Sequence, residues 1–278
     1  MEKAQPPSPQ RSSSSVATRE KPTAGAAAGN VTGSAVEGAQ TPPSVGTTGG
    51  VACVWLAAGS GTRMGNRVNK VFLPLSGRAV VTRSIQATLG LAGVTERILV
   101  VAQQDMVAAQ ELLAEALPFR MRYVTGGSSR HESESNALRA LAPEIEAGRV
   151  DIVVVHDAAR PLAAPELFAA VVEMARKHGG ALPVRPSPPL VASEPAATTF
   201  AAPNEVVTVQ TPQAFRARPL LEAHRKAAEA GFVGTDTASC IERFSRLEVK
   251  SVPGNDANLK ITYAEDLVLA ERLLAGSR

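Results

Sequence analysis

The apolar run Val51–Ala57 breaks directly into a glycine-rich turn, Gly59-Ser-Gly-Thr-Arg-Met-Gly65, and returns through Lys70 to a second apolar segment, Val71–Leu75. A β-strand that feeds such a turn constrains the fold more than any other feature of the chain. Glycines let the backbone approach an anion closely, and the cations Arg63 and Lys70 can neutralise it. The carboxyl end of a parallel strand is where α/β sheets place such a ligand, and a nucleoside triphosphate has the matching charge. Two familiar phosphate loops are excluded by spacing. A Walker loop needs Gly-Lys followed by Ser or Thr, but Lys70 stands between Asn69 and Val71; a dinucleotide fingerprint needs G-x-G-x-x-G, but Gly59, Gly61 and Gly65 read G-x-G-x-x-x-G.

The rest of the chain repeats the pattern. The sequence predicts strands at residues 51–56, 97–102, 121–124, 151–156, 181–184, 206–210 and 247–252. It predicts helices over 80–91, 105–116, 132–141, 165–178, 219–230, 236–244 and 263–274. Continuous β-branched runs between helices mean a mostly parallel sheet covered on both faces, a three-layer Rossmann-like α/β domain. Residues 184–208 interrupt the rhythm with Pro186, Pro188, Pro189, Pro195 and Pro203, which no helix accommodates. An arm protruding from the domain and an irregular surface loop both fit this stretch.

Residues 1–50 contain no aromatic residue and no Ile or Leu. They offer little apolar surface to offset chain entropy, so a disordered tail is expected there and a folded domain over 51–278. The tail is Ser-rich and poor in acids but has no Arg-rich amphipathic helix, so organellar targeting fits it less well than a cytoplasmic protein. No apolar stretch approaches the roughly 20 residues of a membrane span. A net charge of +3 with scattered basic residues argues against nucleic-acid binding. The only cysteines, Cys53 and Cys240, are far apart in apolar surroundings and read as reduced, buried thiols.

Three further turns carry chemistry. Gly126-Gly127-Ser-Ser-Arg130-His-Glu-Ser133 ends a strand and opens a helix; a base-binding turn and a plain Ser-capped turn both fit. His156-Asp157-Ala158-Ala-Arg160-Pro follows a wholly apolar strand, a costly place for the Asp157 carboxylate unless it meets a metal ion or hydroxyl. His156 has no companion ligand at metal spacing and reads as a packed, hydrogen-bonded residue. Lys260 in Asn258-Leu-Lys-Ile-Thr is expected in a short strand before the last helix.

Taken in order, LAAGSGTRMG with Lys70 and FLPL, GGSSRHES, VVVHDAARP, QTPQAF, TDTAS and NLKIT-x-x-EDL resemble the motifs of the 2-C-methyl-D-erythritol 4-phosphate cytidylyltransferases, from about Val51 to Leu274. The resemblance implies transfer of CMP from CTP to a sugar-alcohol phosphate in non-mevalonate isoprenoid precursor synthesis, with Mg²⁺ as cofactor and a homodimer formed through the arm. It implies catalytic roles for Arg63, Lys70 and Lys260. Nucleotide binding falls to Ala57, Ala58, Gly59, Gly61, Thr62, Gly127, Ser128, Arg130, Ser133, Asp157 and Ala158. Acceptor binding falls to Asp157, Arg160, Ser187, Thr235 and Lys260, and Asp157 lies near the metal through the nucleotide phosphates.

Three positions depart from the family pattern. Asn69 replaces a Pro before the catalytic Lys and is expected to loosen the loop. Pro186-Ser187-Pro188-Pro189 replaces an Asp-Thr and a following Lys, and Asn204 stands where a phosphate-gripping Arg is usual. The acceptor side therefore leaves open a methylerythritol phosphate enzyme using Arg185 or another cation, an enzyme for another polyol phosphate such as ribitol 5-phosphate, and a non-catalytic nucleotide-binding paralogue.

Overall fold

The structure, a computed structural model, describes residues 49–59, 69–187, 190–191, 199–200 and 207–276. The expected tail, the turn residues Gly61, Thr62 and Arg63, and Asn204 lie outside the described residues.

In chain order the strands and helices are β1 (Gly50–Leu56), β2 (Pro74–Leu75), β3 (Arg78–Ala79), α1 (Val80–Gln86), β4 (Val94–Val101), α2 (Met106–Ala116), β5 (Arg122–Thr125), α3 (Arg130–Glu146), β6 (Val150–Asp157), α4 (Pro165–His178), β7 (Gly179–Pro186), β8 (Leu190–Val191), β9 (Thr199–Phe200), β10 (Val207–Val209), β11 (Gln213–Arg216), α5 (Ala217–Glu229), α6 (Thr237–Phe244), β12 (Glu248–Pro253) and α7 (Ala264–Gly276).

The main sheet runs β10-β7-β11-β6-β1-β4-β5, with β12 on the other edge of β7. Strands β5, β4, β1 and β6 are parallel, whereas β11 is antiparallel to both β6 and β7. The mostly parallel, three-layer expectation therefore holds, with an antiparallel insertion at β10 and β11. Among the described residues of the 184–208 stretch, β8 and β9 form a separate two-stranded antiparallel ladder, Leu190↔Phe200 and Val191↔Thr199. The stretch therefore contains strands of its own, as an arm does.

Alternation along β1 builds both faces. Val51, Cys53 and Trp55 pack with Val81 and Ile85 of α1, Leu113 of α2 and Phe168 of α4, whereas Ala52 and Val54 pack with Leu138 and Leu141 of α3, Leu220 of α5 and Ile241 of α6. Each such side chain, once removed from water, contributes about 1.5–3 kcal/mol. Both cysteines are free and buried within these layers, as expected.

Register then positions the site. Leu56 pairs with both Val100 and Asp157, and Val101 pairs with Thr125, so the carboxyl ends of the four parallel strands stop at one level. The turns beginning at Ala57, Gly126 and Ala158 are delivered to that edge.

Some expectations need correction. The first helix ends at Gln86, and residues 87–91 continue as turns. Strand β11 was not expected, because it is only four residues long and follows Pro212. Lys260 lies in an irregular segment rather than a strand, held from both sides instead of by a sheet ladder. Among the described residues no helix is long and apolar enough to cross a membrane.

Candidate active site

A cleft of about 490 Å³ opens at the common strand edge, lined among others by Ala57, Ala58, Gly59, Lys70, Gly127, Ser128, Arg130, Ser133, Asp157 and Lys260. Ten residues singled out in the sequence are thus brought together from five segments. Its floor is backbone. The Ala57 N–H donates to Val100 O at 2.8 Å, and the fully buried Ala158 donates to Leu56 O at 3.1 Å, so Ala158 braces the floor from beneath.

The second turn is shaped by contact. A Cβ on Gly126 would stand 2.2 Å from the Ala58 Cβ, so only glycine allows this turn to close against the first. Ser129 caps α3 by accepting from Glu132 N at 3.0 Å. Ser133 Oγ donates to Ser129 O at 2.9 Å and accepts from Gly127 N at 3.0 Å. The turn is Ser-capped, as one of the open readings has it, and it also lines the cleft.

Asp157 is the electrostatic centre. Lys260 Nζ donates to its Oδ2 at 2.8 Å, Arg130 Nε stands 3.4 Å from Oδ1, and Arg160 Nε stands 3.7 Å from Oδ2. Burial alone would raise the Asp157 pKa. The Arg130 and Lys260 charges, the Lys260 hydrogen bond and the Arg160 charge outweigh it and hold the carboxyl well below the usual carboxylate range. Arg130 is held in turn by Glu134, whose Oε2 lies 2.8 Å from its Nη1, while Thr237 at the start of α6 donates to Glu134 Oε1. Burial raises the Glu134 pKa against the opposing Arg130 charge and Thr237 hydrogen bond.

His156 is buried and joined to the backbone frame. Thr211 Oγ1 accepts from Asp157 N at 3.0 Å and donates to His156 Nδ1 at 3.1 Å, so His156 Nε2 carries the hydrogen donated to Arg160 O. Burial lowers its pKa to about 4, which keeps the ring neutral at pH 7.

Lys260 is fixed through its neighbours. Asn258 Nδ2 donates to Thr211 O at 2.9 Å, Ile261 N donates to Ala159 O at 2.8 Å, and Arg160 Nη1 donates to Asn258 O at 2.7 Å. Arg160 is therefore turned inward, its side chain 13% exposed, tied to Asn258 and Asp157. Thr235 is exposed just ahead of α6, and Ser187 lies half-buried past the end of β7; neither is among the residues lining the cleft.

Sequence reasoning assigned no role to Glu134, Thr211 or Asn258. Each is polar and buried, which is costly without partners, but their partners lie 103, 54 and 47 residues away. Behind Arg130, donor atoms of His131, His224 and Cys240 lie within 4.8 Å of one another. The two imidazoles are stacked with planes only 12° apart, so their lone pairs run side by side instead of converging, and the group packs rather than ligates.

Asp157 is the one carboxylate among the cleft-lining residues, and it stays ionised beside lysine and arginine donors. Mg²⁺ commonly uses one or two carboxylates and the substrate's phosphates, so this donor set fits a metal that arrives with a nucleotide. A Rossmann-like sheet whose strand edge presents glycine turns, two lysines and one ionised carboxylate defines a nucleotidyltransferase.

The comparisons specify which one. The family profile described as 2-C-methyl-D-erythritol 4-phosphate cytidylyltransferase (IspD) matches residues 51–276. The protein of that name from Solibacter usitatus is 36% identical over 238 residues, covering 81% of this chain and 95% of the relative. Its namesake from Cereibacter sphaeroides is 39% identical over 228 residues, covering 81% and 96%. Among solved structures, 4-diphosphocytidyl-2C-methyl-D-erythritol synthase from Anaerococcus prevotii superposes with a TM-score of 0.71 at 27% identity, covering 82% of this chain and 97% of that one. The Thermus thermophilus cytidylyltransferase gives 0.60 at 32%, covering 80% and 98%. The chain belongs to the 2-C-methyl-D-erythritol 4-phosphate cytidylyltransferase family, and its activity is CTP-dependent cytidylyl transfer.

Proposed function

We propose that this cleft transfers CMP from CTP to 2-C-methyl-D-erythritol 4-phosphate, releasing pyrophosphate. The observation that carries the reading is the convergence of Lys70, Lys260, Arg130 and Asp157 on one cleft whose other walls are backbone and small side chains. A phosphate oxygen of the acceptor attacks the α-phosphorus of CTP in line. The new P–O bond forms as the bond to the β-phosphate oxygen breaks, and the electron pair leaves with pyrophosphate.

Such a reaction needs positioning and charge stabilisation more than proton transfer. Ala57, Ala58, Gly59, Gly127, Ser128 and Ser133 frame the cytosine and ribose. Edges of peptide groups select a pyrimidine by size and a cytosine by hydrogen bonding. Lys70, with Arg63, holds the triphosphate, and Lys260 holds the α-phosphate and the incoming acceptor phosphate. Lys260 lines the cleft beside Asp157, and its side chain is 42% exposed. Mg²⁺, when bound through the nucleotide phosphates, supplies Lewis-acid neutralisation of their charge. Asp157 is the protein carboxylate nearest that charge, and Arg130 and Arg160 keep it ionised and oriented.

On the acceptor side we assign Asp157, Arg160, Ser187, Thr235 and Lys260, with Arg185 on β7 as the cation replacing the Lys lost within Pro186–Pro189 and the Arg lost at Asn204. The catalytic unit is residues 51–278, acting as a cytoplasmic homodimer through the β8–β9 arm.

The test is formation of the cytidine diphosphate diester from CTP, Mg²⁺ and acceptor, followed by ³¹P NMR with wild type, Lys70→Ala and Lys260→Ala. The reading requires a diphosphate signal and pyrophosphate in equal amounts with wild type, and loss of both in the two variants. Undiminished product with both variants would refute the mechanism.

A further inference from the structure

The turn that carries Lys70 is fastened by the residue before it. Asn69 is 7% exposed, and all of its amide is used. Its Nδ2 donates to Ala57 O at 2.9 Å and to Asp105 Oδ2 at 2.9 Å, and its Oδ1 accepts from Val71 N at 3.3 Å. Its own carbonyl accepts from Phe72 N at 3.0 Å, and the Lys70 carbonyl accepts from Leu73 N at 3.2 Å, closing a single 3₁₀ turn over Lys70–Phe72. One side chain thereby ties together the cleft floor at the end of β1, the connection from β4 to α2, and the turn that carries Lys70.

We propose that Asn69 and Asp105 form a positioning clamp that fixes the Lys70 backbone relative to the nucleotide floor. Asn69 fastens the chain where it re-enters the described structure. The inference rests on the reading of Lys70 as a phosphate-holding cation and deepens it.

The physical case is one of reach. A lysine ammonium is a point charge on a flexible four-carbon stem, so its placement depends on where its Cα is anchored. Asn69 meets the floor through a neutral hydrogen bond and the β4–α2 connection through a charge-assisted one, the stronger kind. Neither Ala nor Pro at this position could make either bond. A displacement on the order of 1 Å at a reacting centre costs about 10²-fold in rate. Asp105 is not among the residues lining the cleft, so its effect on turnover must pass through Asn69.

The experiment is a kinetic double-mutant cycle on the full chain. Asn69→Ala is expected to lower kcat by about 10–100-fold while changing the KM for CTP by less than about 3-fold. In the Lys70→Ala background the same substitution should cost nothing further, because the group it positions is gone. Asp105→Asn, which keeps an acceptor oxygen, should retain most of the turnover that Asp105→Leu loses. Circular dichroism and the thermal midpoint identify any variant that fails to fold.

A loss as large in the Lys70→Ala background as in wild type overturns the clamp, since Asn69 would then act through something other than Lys70. Equal kcat for Asp105→Leu and wild type overturns it as well. Full turnover of Lys70→Ala overturns the underlying reading together with the clamp. An inactive Lys70→Ala beside a fully active Asn69→Ala overturns the clamp alone.

Discussion

The cleft and the end of β7, outside the cleft lining, are built differently. On the nucleotide rim, charge is gathered around a buried carboxylate: Asp157 is 10% exposed at the side chain, and Arg130, Arg160 and Lys260, at 25%, 13% and 42%, converge on it. On that far rim, Arg185 near the end of β7 pairs with Asp256 at 2.6 Å, but neither lines the cleft and the two side chains are 38% and 81% exposed. A pair in water contributes about 0–1 kcal/mol, whereas removing one member of a buried pair costs about 3–5 kcal/mol. The charge cluster in the cleft is therefore built into the fold, whereas the Arg185–Asp256 pair is a surface contact.

Breaking the nucleotide rim should have the largest effect. Lys70→Ala and Lys260→Ala should each lower kcat by about 10²–10³-fold, the usual loss on removing one transition-state charge partner. Steady-state pyrophosphate release measures it, and a change below tenfold in both would erase the contrast. Asp157→Asn should cost about 3 kcal/mol in urea unfolding, because three cations lose their counter-charge together. It should also depress turnover. Equal stability of variant and wild type would show that the cluster is solvated in practice.

A pH series sharpens the comparison. Burial lowers the pKa of His156 to about 4 and that of His224 to about 3, while the unfolded chain titrates near 6.5. Below pH 6.5 the unfolded state takes up protons that the native state refuses, so this stabilisation is present above pH 6.5 and lost as pH falls towards 4. For His156 the full loss is about 3 kcal/mol. The depressed Asp157 pKa has the same sign in a lower window, below the ordinary carboxylate pKa of about 4. Unfolding free energy measured at pH 7, 5.5 and 4.5 should fall steadily, and His224→Gln should flatten the slope. A flat wild-type profile would contradict the buried, neutral histidines.

The smallest effect belongs to the far rim. Arg185→Ala should change stability by less than about 1 kcal/mol and raise the KM for the acceptor while leaving that for CTP unchanged. An equal rise in both would place Arg185 in the nucleotide half.

Elements whose stabilisation is local were legible in the sequence. The apolar runs of β1 and β6 are continuous because both faces are buried, and α4 was bounded correctly by Pro165 and Gly179. The glycine turns were legible because Gly126 answers a contact made at Ala58. Strand β11 escaped notice because it is short and its ladder partners, Ile152–Val155 and Gly180–Ala181, are remote. The contacts of Asn69 were illegible for the same reason: as a letter it is a substitution for Pro, and its partners Ala57 and Asp105 are 12 and 36 residues away. Glu134 reads as a surface helix residue until Thr237 is brought onto it. Buried hydrogen bonds between distant residues leave no periodic trace in sequence.

The most direct test of the account is pyrophosphate release from CTP and Mg²⁺ with 2-C-methyl-D-erythritol 4-phosphate, with ribitol 5-phosphate, and with no acceptor. The account predicts release with the first alone. Release only with ribitol 5-phosphate, or silence with every acceptor despite CTP binding, would contradict it.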